Sequence, residues 1–300
     1  MKIIITGSSG FVGKNLAPYL KANKCSAEIL SLRDTSWKQN FNNNADAVIH
    51  LAGKAHDTTN TTVAEEYFRV NRDLTIQLFV MFLNSEIKDF FYFSSVKAVA
   101  DTVDGVLTED VEGKPLTPYG KSKWEAEKYI LSQNLPQGKR VFIIRPCMIH
   151  GPGNKGNLNL LYKVVEKGLP WPLATFQNQR SFLSIGNLNY LIFEMLINKS
   201  VASGIYNFAD DKAISTNQLV SIIARSLGKR PKLWKFPASM IYILAKVGDV
   251  LSLPLNSERL KKLTESYVVS NRKIKKALGI SELPIKAEEG LRRTINSFIN

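Results

Sequence analysis

Lys2-Ile3-Ile4-Ile5-Thr6-Gly7-Ser8-Ser9-Gly10-Phe11-Val12-Gly13 is the stretch that decides the fold. A short β-forming run ends at Thr6 and passes at once into Gly7-x-x-Gly10-x-x-Gly13, and a helical pattern begins at Val12. Each glycine has a task in that context. Gly7 permits a tight turn, Gly10 lets the backbone approach a pyrophosphate, and Gly13 lets the helix close onto the sheet. The free N–H groups and positive dipole at the helix N-terminus add an anion site. Gly7, Gly10, Phe11, Val12 and Gly13 are therefore expected to hold a dinucleotide.

Outward from this motif, Glu28–Leu32, Ala47–Leu51, Phe90–Ser94 and Val141–Arg145 read, with Lys2–Thr6, as strands buried on both faces. Val12–Lys21, Val63–Asn84 and Tyr119–Ser132 have helical periodicity between them. Alternation of this kind predicts an α/β fold, a Rossmann-type doubly wound parallel sheet whose strand C-termini line one ligand-binding edge. After Gly151-Pro152-Gly153 the pattern loosens, with short strands only near Phe182–Ile185 and Ile205–Phe208. We expect a dinucleotide-binding domain over residues 1–150, with segments near 182–208 returning to it, and a smaller C-terminal substrate-binding lobe over most of 151–300. In that lobe Ser215-x-x-Gln218 is a capping box for a helix with Leu219, Ile222, Ile223 and Leu227 on one face, closed by Gly228. A final helix from Ala287 carries Leu291, Ile295, Phe298 and Ile299.

Composition narrows the class. Three hundred residues, 44% hydrophobic and 22% charged, can bury a sizeable core and exclude disordered, collagenous and coiled-coil chains. Cys25 and Cys147 are far apart and lack metal or redox spacing, which fits a reducing cytoplasm. Ile3–Ile5 is followed by a turn rather than by the rest of a signal peptide, so the mature chain is expected to start at Met1. Phe236–Leu255 is interrupted by Pro237, Lys246, Asp249 and Pro254, so no transmembrane segment is expected there. A buried or surface helix is favoured over membrane-surface docking. The net charge of +14 concentrates after Lys229. Its basic residues alternate with apolar ones at helical spacing and no nucleic-acid motif accompanies them, so they read as a solvated helix face without a specific nucleic-acid partner.

Tyr119-x-x-x-Lys123 places two side chains on one helix face, where an ammonium would lower the tyrosine pKa and make the phenol a general acid/base. Ser94-Ser95 ends a strand at the same sheet edge and offers a hydroxyl. At the end of the second strand Arg33 can pair with a 2′-phosphate, allowing NADP, whereas Asp34 can hold the ribose diol of NAD.

These residues together resemble the extended short-chain dehydrogenase/reductase family of NAD-dependent nucleotide-sugar epimerases, dehydratases and reductases. The resemblance rests on the glycine motif, Asp46-Ala-Val-Ile-His-Leu-Ala-Gly53, Val70-Asn71, Ser94-Ser95, Tyr119-Gly-Lys-Ser-Lys123 and Arg145-Pro146. His150-Gly-Pro-Gly153, Lys155-Gly-Asn157-Leu158, Arg180-Ser-Phe-Leu183 and Tyr206-Asn-Phe208 resemble the substrate segments of the UDP-sugar 4-epimerase branch. The resemblance implies that Tyr119 moves the proton of the sugar hydroxyl. Lys123 would hold the nicotinamide ribose, Ser95 rather than Ser94 would complete the triad and also meet substrate, and Asn71 would brace the site through its helix. Leu51, Ala52 and Gly53 would line the cofactor, and Asn157 and Arg180 would contact the substrate diphosphate. It further implies C4 epimerisation of a UDP-hexose or UDP-N-acetylhexosamine through a 4-keto sugar with bound NAD, in a protein that can form a homodimer. The alternatives are an NAD(P)H-dependent 4-keto reductase using the same triad and a non-catalytic nucleotide-binding protein.

Two features depart from the family pattern. Residues 34–45 are too few for the usual extra strand and helix with their adenine-contacting acidic residue. His150 stands where tyrosine is common, in what reads as a loop near the sugar. His50, His56 and His150 lack metal-ligand spacing, so no metal is expected.

Overall fold

The computed structural model describes residues 1–54, 63–154, 157–251 and 256–299, the side chain of Asn157 excepted. Six parallel strands form the central sheet: β1 (Lys2–Thr6), β2 (Ser26–Leu30), β3 (Ala47–His50), β4 (Asp89–Phe93), β6 (Arg140–Pro146) and β9 (Gly204–Phe208), in the order β2-β1-β3-β4-β6-β9. Strand alternation sends each sequence run to two cores. Ile3, Ile5, Ile49, Phe91 and Phe142 pack with Leu16 and Leu20 of α1 (Phe11–Ala22) and with Leu188, Leu191 and Met195 of α6 (Ile185–Ile197). Ile4, Val48, Phe90, Tyr92 and Ile143 face the other way, onto Leu78, Phe79 and Phe82 of α3 (Leu74–Leu83) and Ala126 and Ile130 of α4 (Pro118–Ser132). Thus nearly continuous apolar strands are explained by helices on both faces.

The outer edge differs from expectation. β2 begins and ends two residues before the expected Glu28–Leu32, and Ile29 is 56% exposed rather than buried. The short link to β3 makes only a 3-10 turn over Trp37–Asn40, so β2 stands at the sheet edge with β1 as its partner. The expected helix over Val63–Asn84 is also divided, into α2 (Ala64–Tyr67), a π-helical turn over Phe68–Asp73 and α3. A π turn changes which carbonyls are bonded along the helix, and such turns gather at functional sites. Asn71 lies in this one.

Two minor sheets pair β5 (Val106–Leu107) with β10 (Val268–Val269), and β7 (Met148–His150) with β8 (Phe182–Ser184). Of the returning segments, β9 therefore completes the main sheet while β8 does not. The C-terminal lobe contains α5 (Asn157–Glu166), α7 (Thr216–Ser226), α8 (Ala238–Leu251), α9 (Ser257–Thr264) and α11 (Ala287–Ile299), whereas α10 (Arg272–Leu278) packs Ile274 into the core of the main sheet beside β9. Its own core joins Leu158, Trp171, Leu219, Ile223, Ile241, Leu260, Leu291 and Ile295. The capping box at Ser215 and Gln218 is complete, and Gly228 takes a φ of +67° after the helix it closes. His150 is not in a loop. It ends β7, 1% exposed, with Nδ1 2.9 Å from Thr294 Oγ1 and its ring edge-on to Phe182. Pairing of β7 with β8 pulls it into the lobe's core.

Candidate active site

The C-terminal ends of β1, β3 and β4 lie side by side because all three strands are parallel, and the chemistry-bearing segments leave from them. Gly7 follows β1 with a φ of +70°, and a Cβ there would lie 2.5 Å from Ala52 N. A Cβ on Gly13 would lie 2.4 Å from Ser8 Cα, so this glycine is required by the turn packing under the helix. Gly10 is different. It caps α1 in an extended conformation, and a Cβ would meet nothing nearer than Gly7 O at 3.3 Å. The loop thus leaves an exposed backbone face at the helix N-terminus, as a dinucleotide pyrophosphate requires. Phe11 and Val12 are the first two residues of α1.

Behind this loop, Thr6 Oγ1 accepts from Ala52 N (3.1 Å) and lies 2.7 Å from His50 Nδ1, while His50 Nε2 lies 2.9 Å from Thr75 Oγ1. Thr75 Oγ1 donates to Asn71 O (2.8 Å), so it accepts from Nε2–H and Thr6 donates to Nδ1. Burial, with the charge of Lys123 adding, lowers the His50 pKa to about 3 and keeps this relay neutral. Asn71 joins three elements. Its Oδ1 accepts from Lys54 N (2.8 Å), and its Nδ2 donates to Lys54 O and Ser122 Oγ (both 3.1 Å). A Cβ on Gly53 would come within 3.0 Å of Asn71 Oδ1 and 3.1 Å of Lys123 Nζ. The absence of a side chain at Gly53 keeps the space beside the Lys123 ammonium open.

Thr117 caps α4 and Pro118 occupies its first turn, an arrangement that fixes the helix start and hence the positions of Tyr119 and Lys123. The Ser95 hydroxyl accepts from Lys97 N at 3.2 Å and lies near enough to Tyr119 to act on its pKa, and the Tyr67 ring meets Tyr119 edge-on at 6.1 Å. Ser94 instead donates from Oγ to Glu127 Oε1 and belongs to a buried structural network. There Arg145 Nη2 donates to Glu127 Oε2 at 2.5 Å. The anticipated depression of the Tyr119 pKa is not what the geometry gives. Loss of water around the phenol raises it, with the Ser95 hydroxyl opposing. Lys123 Nζ donates to Phe93 O (2.7 Å) and lies 5.0 Å from the Tyr92 ring centre, and burial lowers its own pKa to about 8. Its charge is thereby committed to the end of β4 and the floor of the site.

Arg33 and Asp34 lie beyond the end of β2 rather than at it, and both are exposed. Asp34 Oδ1 accepts from Ser36 N at 2.9 Å, and that bond lowers its pKa. Leu51 and Ala52 follow β3 directly. Arg180 is remote in sequence but faces the Ser95 loop. It donates from Nε to Glu265 O (3.2 Å) and from Nη2 to Lys262 O, with Glu265 Oε1 3.8 Å away. Lys97, which the sequence reading did not select, joins it: Nζ donates to Asp101 O (2.7 Å) and lies 4.6 Å from the Tyr267 ring centre. Burial lowers the Lys97 pKa, and the positive field of Arg180 adds to that shift. Two cations at one edge of the site can receive an anionic group such as a diphosphate. Asn157 opens α5, but its side chain, like His56, lies outside the described residues. Among the described residues no group of His, Cys, Asp or Glu could hold a metal ion.

A Gly-rich loop at a parallel sheet edge with Ser, Tyr and Lys converging beside it defines a dinucleotide-dependent enzyme of the short-chain dehydrogenase/reductase type. Residues 3–209 match the model of the NAD dependent epimerase/dehydratase family. UDP-glucose 4-epimerase of Vibrio cholerae is 30% identical over 99% of this chain and 95% of its own. N-acetyl-alpha-D-glucosaminyl-diphospho-ditrans,octacis-undecaprenol 4-epimerase of Escherichia coli O157:H7 is 26% identical over 98% and 94%. The structure of Thermus thermophilus UDP-glucose 4-epimerase complexed with NAD shares the fold with a TM-score of 0.73, at 20% identity over 100% of this chain and 99% of that one. The chain belongs to the NAD-dependent epimerase/dehydratase family, as an extended short-chain dehydrogenase/reductase of the UDP-sugar 4-epimerase type.

Proposed function

We propose that this enzyme inverts C4 of a hexose or N-acetylhexosamine carried on UDP, with Ser95, Tyr119 and Lys123 as its catalytic residues. The observation that carries the reading is the nearness of the Ser95 hydroxyl to Tyr119, beside the open space that Gly53 leaves at Lys123. Tyr119 takes the proton of the C4 hydroxyl and later returns it. Ser95 holds the same oxygen, and Lys123 supplies positive charge at the site floor. NAD, when bound along Gly7–Gly13, Leu51–Gly53 and Lys123, supplies the reversible oxidation at C4. Arg180, with Lys97, holds the diphosphate, and Asn157 is assigned there by its place in the motif. Cytoplasmic action is part of the proposal and is supported by two buried free cysteines. A homodimer is part of the proposal as well. Sedimentation velocity checks the latter. Among the described residues no helix is long and apolar enough to cross a membrane.

Tyr119→Phe tests the assignment. It removes the proton carrier and leaves the glycine loop intact, so turnover of UDP-glucose or UDP-N-acetylglucosamine is expected to fall at least about 100-fold with nucleotide binding retained. Near wild-type turnover would remove Tyr119 from the mechanism.

A further inference from the structure

We propose that α8 docks this protein, as a monotopic partner, on an anionic phospholipid surface. Helix α8 has two apolar faces where a surface helix ordinarily has one. Ile241, Ala245 and Gly248 form the buried stripe that meets the lobe's core. Met240, Ile243, Leu244, Val247, Val250 and Leu251 fall within a second arc of roughly 120° at the helical spacing of about 100° per residue. These six are 39–83% exposed. An arc of this kind that no described residue covers is a contact surface rather than scattered surface apolarity. Trp234, 52% exposed, lies just before the helix and packs edge-on to Phe236 at 6.0 Å, adding an aromatic of the kind that favours a membrane interface.

Charge selects the occupant. From Lys229 to Lys262 the chain carries eight Lys and Arg against Asp249 and Glu258. Asp249 lies on the opposite side of α8 from the centre of the exposed arc and is engaged by Ser257, and Glu258 pairs with Lys262. Lys235 and Lys246 are exposed beside the apolar arc in sequence. Apolar residues that enter the acyl boundary, flanked by cations that meet phosphate headgroups, make the pattern of an interfacial helix. A second copy of the chain would bring the same positive charge against itself. The docked face is also coupled to the site, because Ile241 of α8 and Leu260 of α9 share one core and the carbonyls of Lys262 and Glu265 hold Arg180.

The full-length protein is mixed with vesicles of phosphatidylcholine alone or with phosphatidylglycerol as the minor component, and cosedimentation is read at low and high salt. Binding is expected for the anionic vesicles only, weakening with salt. Ile243→Glu/Val250→Glu is expected to reduce it at least about tenfold, and Lys235→Glu/Lys246→Glu likewise, with epimerase turnover in vesicle-free solution unchanged. The two variants alter different exposed groups, so circular dichroism that matches wild type in either one keeps the test valid. Absence of vesicle binding, binding indifferent to both variants, or self-association that the Ile243/Val250 variant abolishes would overturn the proposal.

Discussion

Lys123 is a buried cation held by one carbonyl, and its pKa near 8 makes a thermodynamic prediction independent of turnover. In the unfolded chain the same amine titrates near its ordinary 10.5. Between about pH 8 and 10.5 the unfolded state binds more protons, so this residue's contribution to stability rises with pH across that window, by about 3 kcal/mol in total. Unfolding of wild type and Lys123→Met by urea over this range checks it: their stability difference should shift in favour of wild type as pH rises, and parallel curves would contradict the buried cation. Arg33 carries a second prediction. Both it and Asp34 project from a turn, and Asp34 is already used by Ser36, which leaves Arg33 the freer to approach an adenosine 2′ substituent. We expect NAD to remain the preferred cofactor, in keeping with the family, and Arg33→Ala to reduce affinity for NADP more than for NAD. Equilibrium titration of both nucleotides reads this, and equal losses would place Arg33 outside the pocket. Tyr119 and Lys123 could be picked out in sequence from their four-residue helical spacing, whereas Ser95 was separated from Ser94 only by the family resemblance. The partners of His50, and the approach of Lys97 to Arg180, were not legible there, since they depend on contacts between residues far apart along the chain.

Elements explain which glycines serve folding and which serve the ligand. Gly13 faces the Ser8 backbone and Gly7 the Ala52 backbone at less than 3 Å, whereas a Cβ on Gly10 would meet only Gly7 O, in a tight contact at 3.3 Å that a shift of a few tenths of an ångström relieves. Gly13→Ala is therefore expected to lower stability by about 1–3 kcal/mol through overpacking. Gly10→Ala should cost about 1 kcal/mol or less as a helix-cap change, yet weaken dinucleotide binding at least about tenfold. Thermal unfolding and nucleotide titration of the two variants separate the effects, and a Gly10 variant that binds normally would move the pyrophosphate elsewhere. The strand–turn–helix at residues 2–22 was readable because the turn chemistry is local. The division of residues 63–84 was not, because an unbroken apolar periodicity gives no sign of a π turn whose carbonyl at Asn71 is engaged by Thr75 and by Tyr92 Oη at 3.4 Å.

Across the whole molecule, the parallel sheet brings four distant segments to one edge, and the C-terminal lobe faces that edge with Arg180. The sheet itself was legible from alternation, but its early termination at β2 and the placement of His150 in the lobe's core depend on pairing partners that no local pattern names. Under the proposed function, one bound NAD would serve both halves of the inversion and no second reductant would be consumed. Substrate deuterated at C4 tests this most directly. A UDP-hexose or UDP-N-acetylhexosamine labelled there is incubated with enzyme and no added cofactor, and the product is examined by mass and NMR. The account predicts a C4-inverted sugar that retains the deuterium at C4, whereas loss of the label to solvent, or conversion only in proportion to added NAD(P)H, would contradict it.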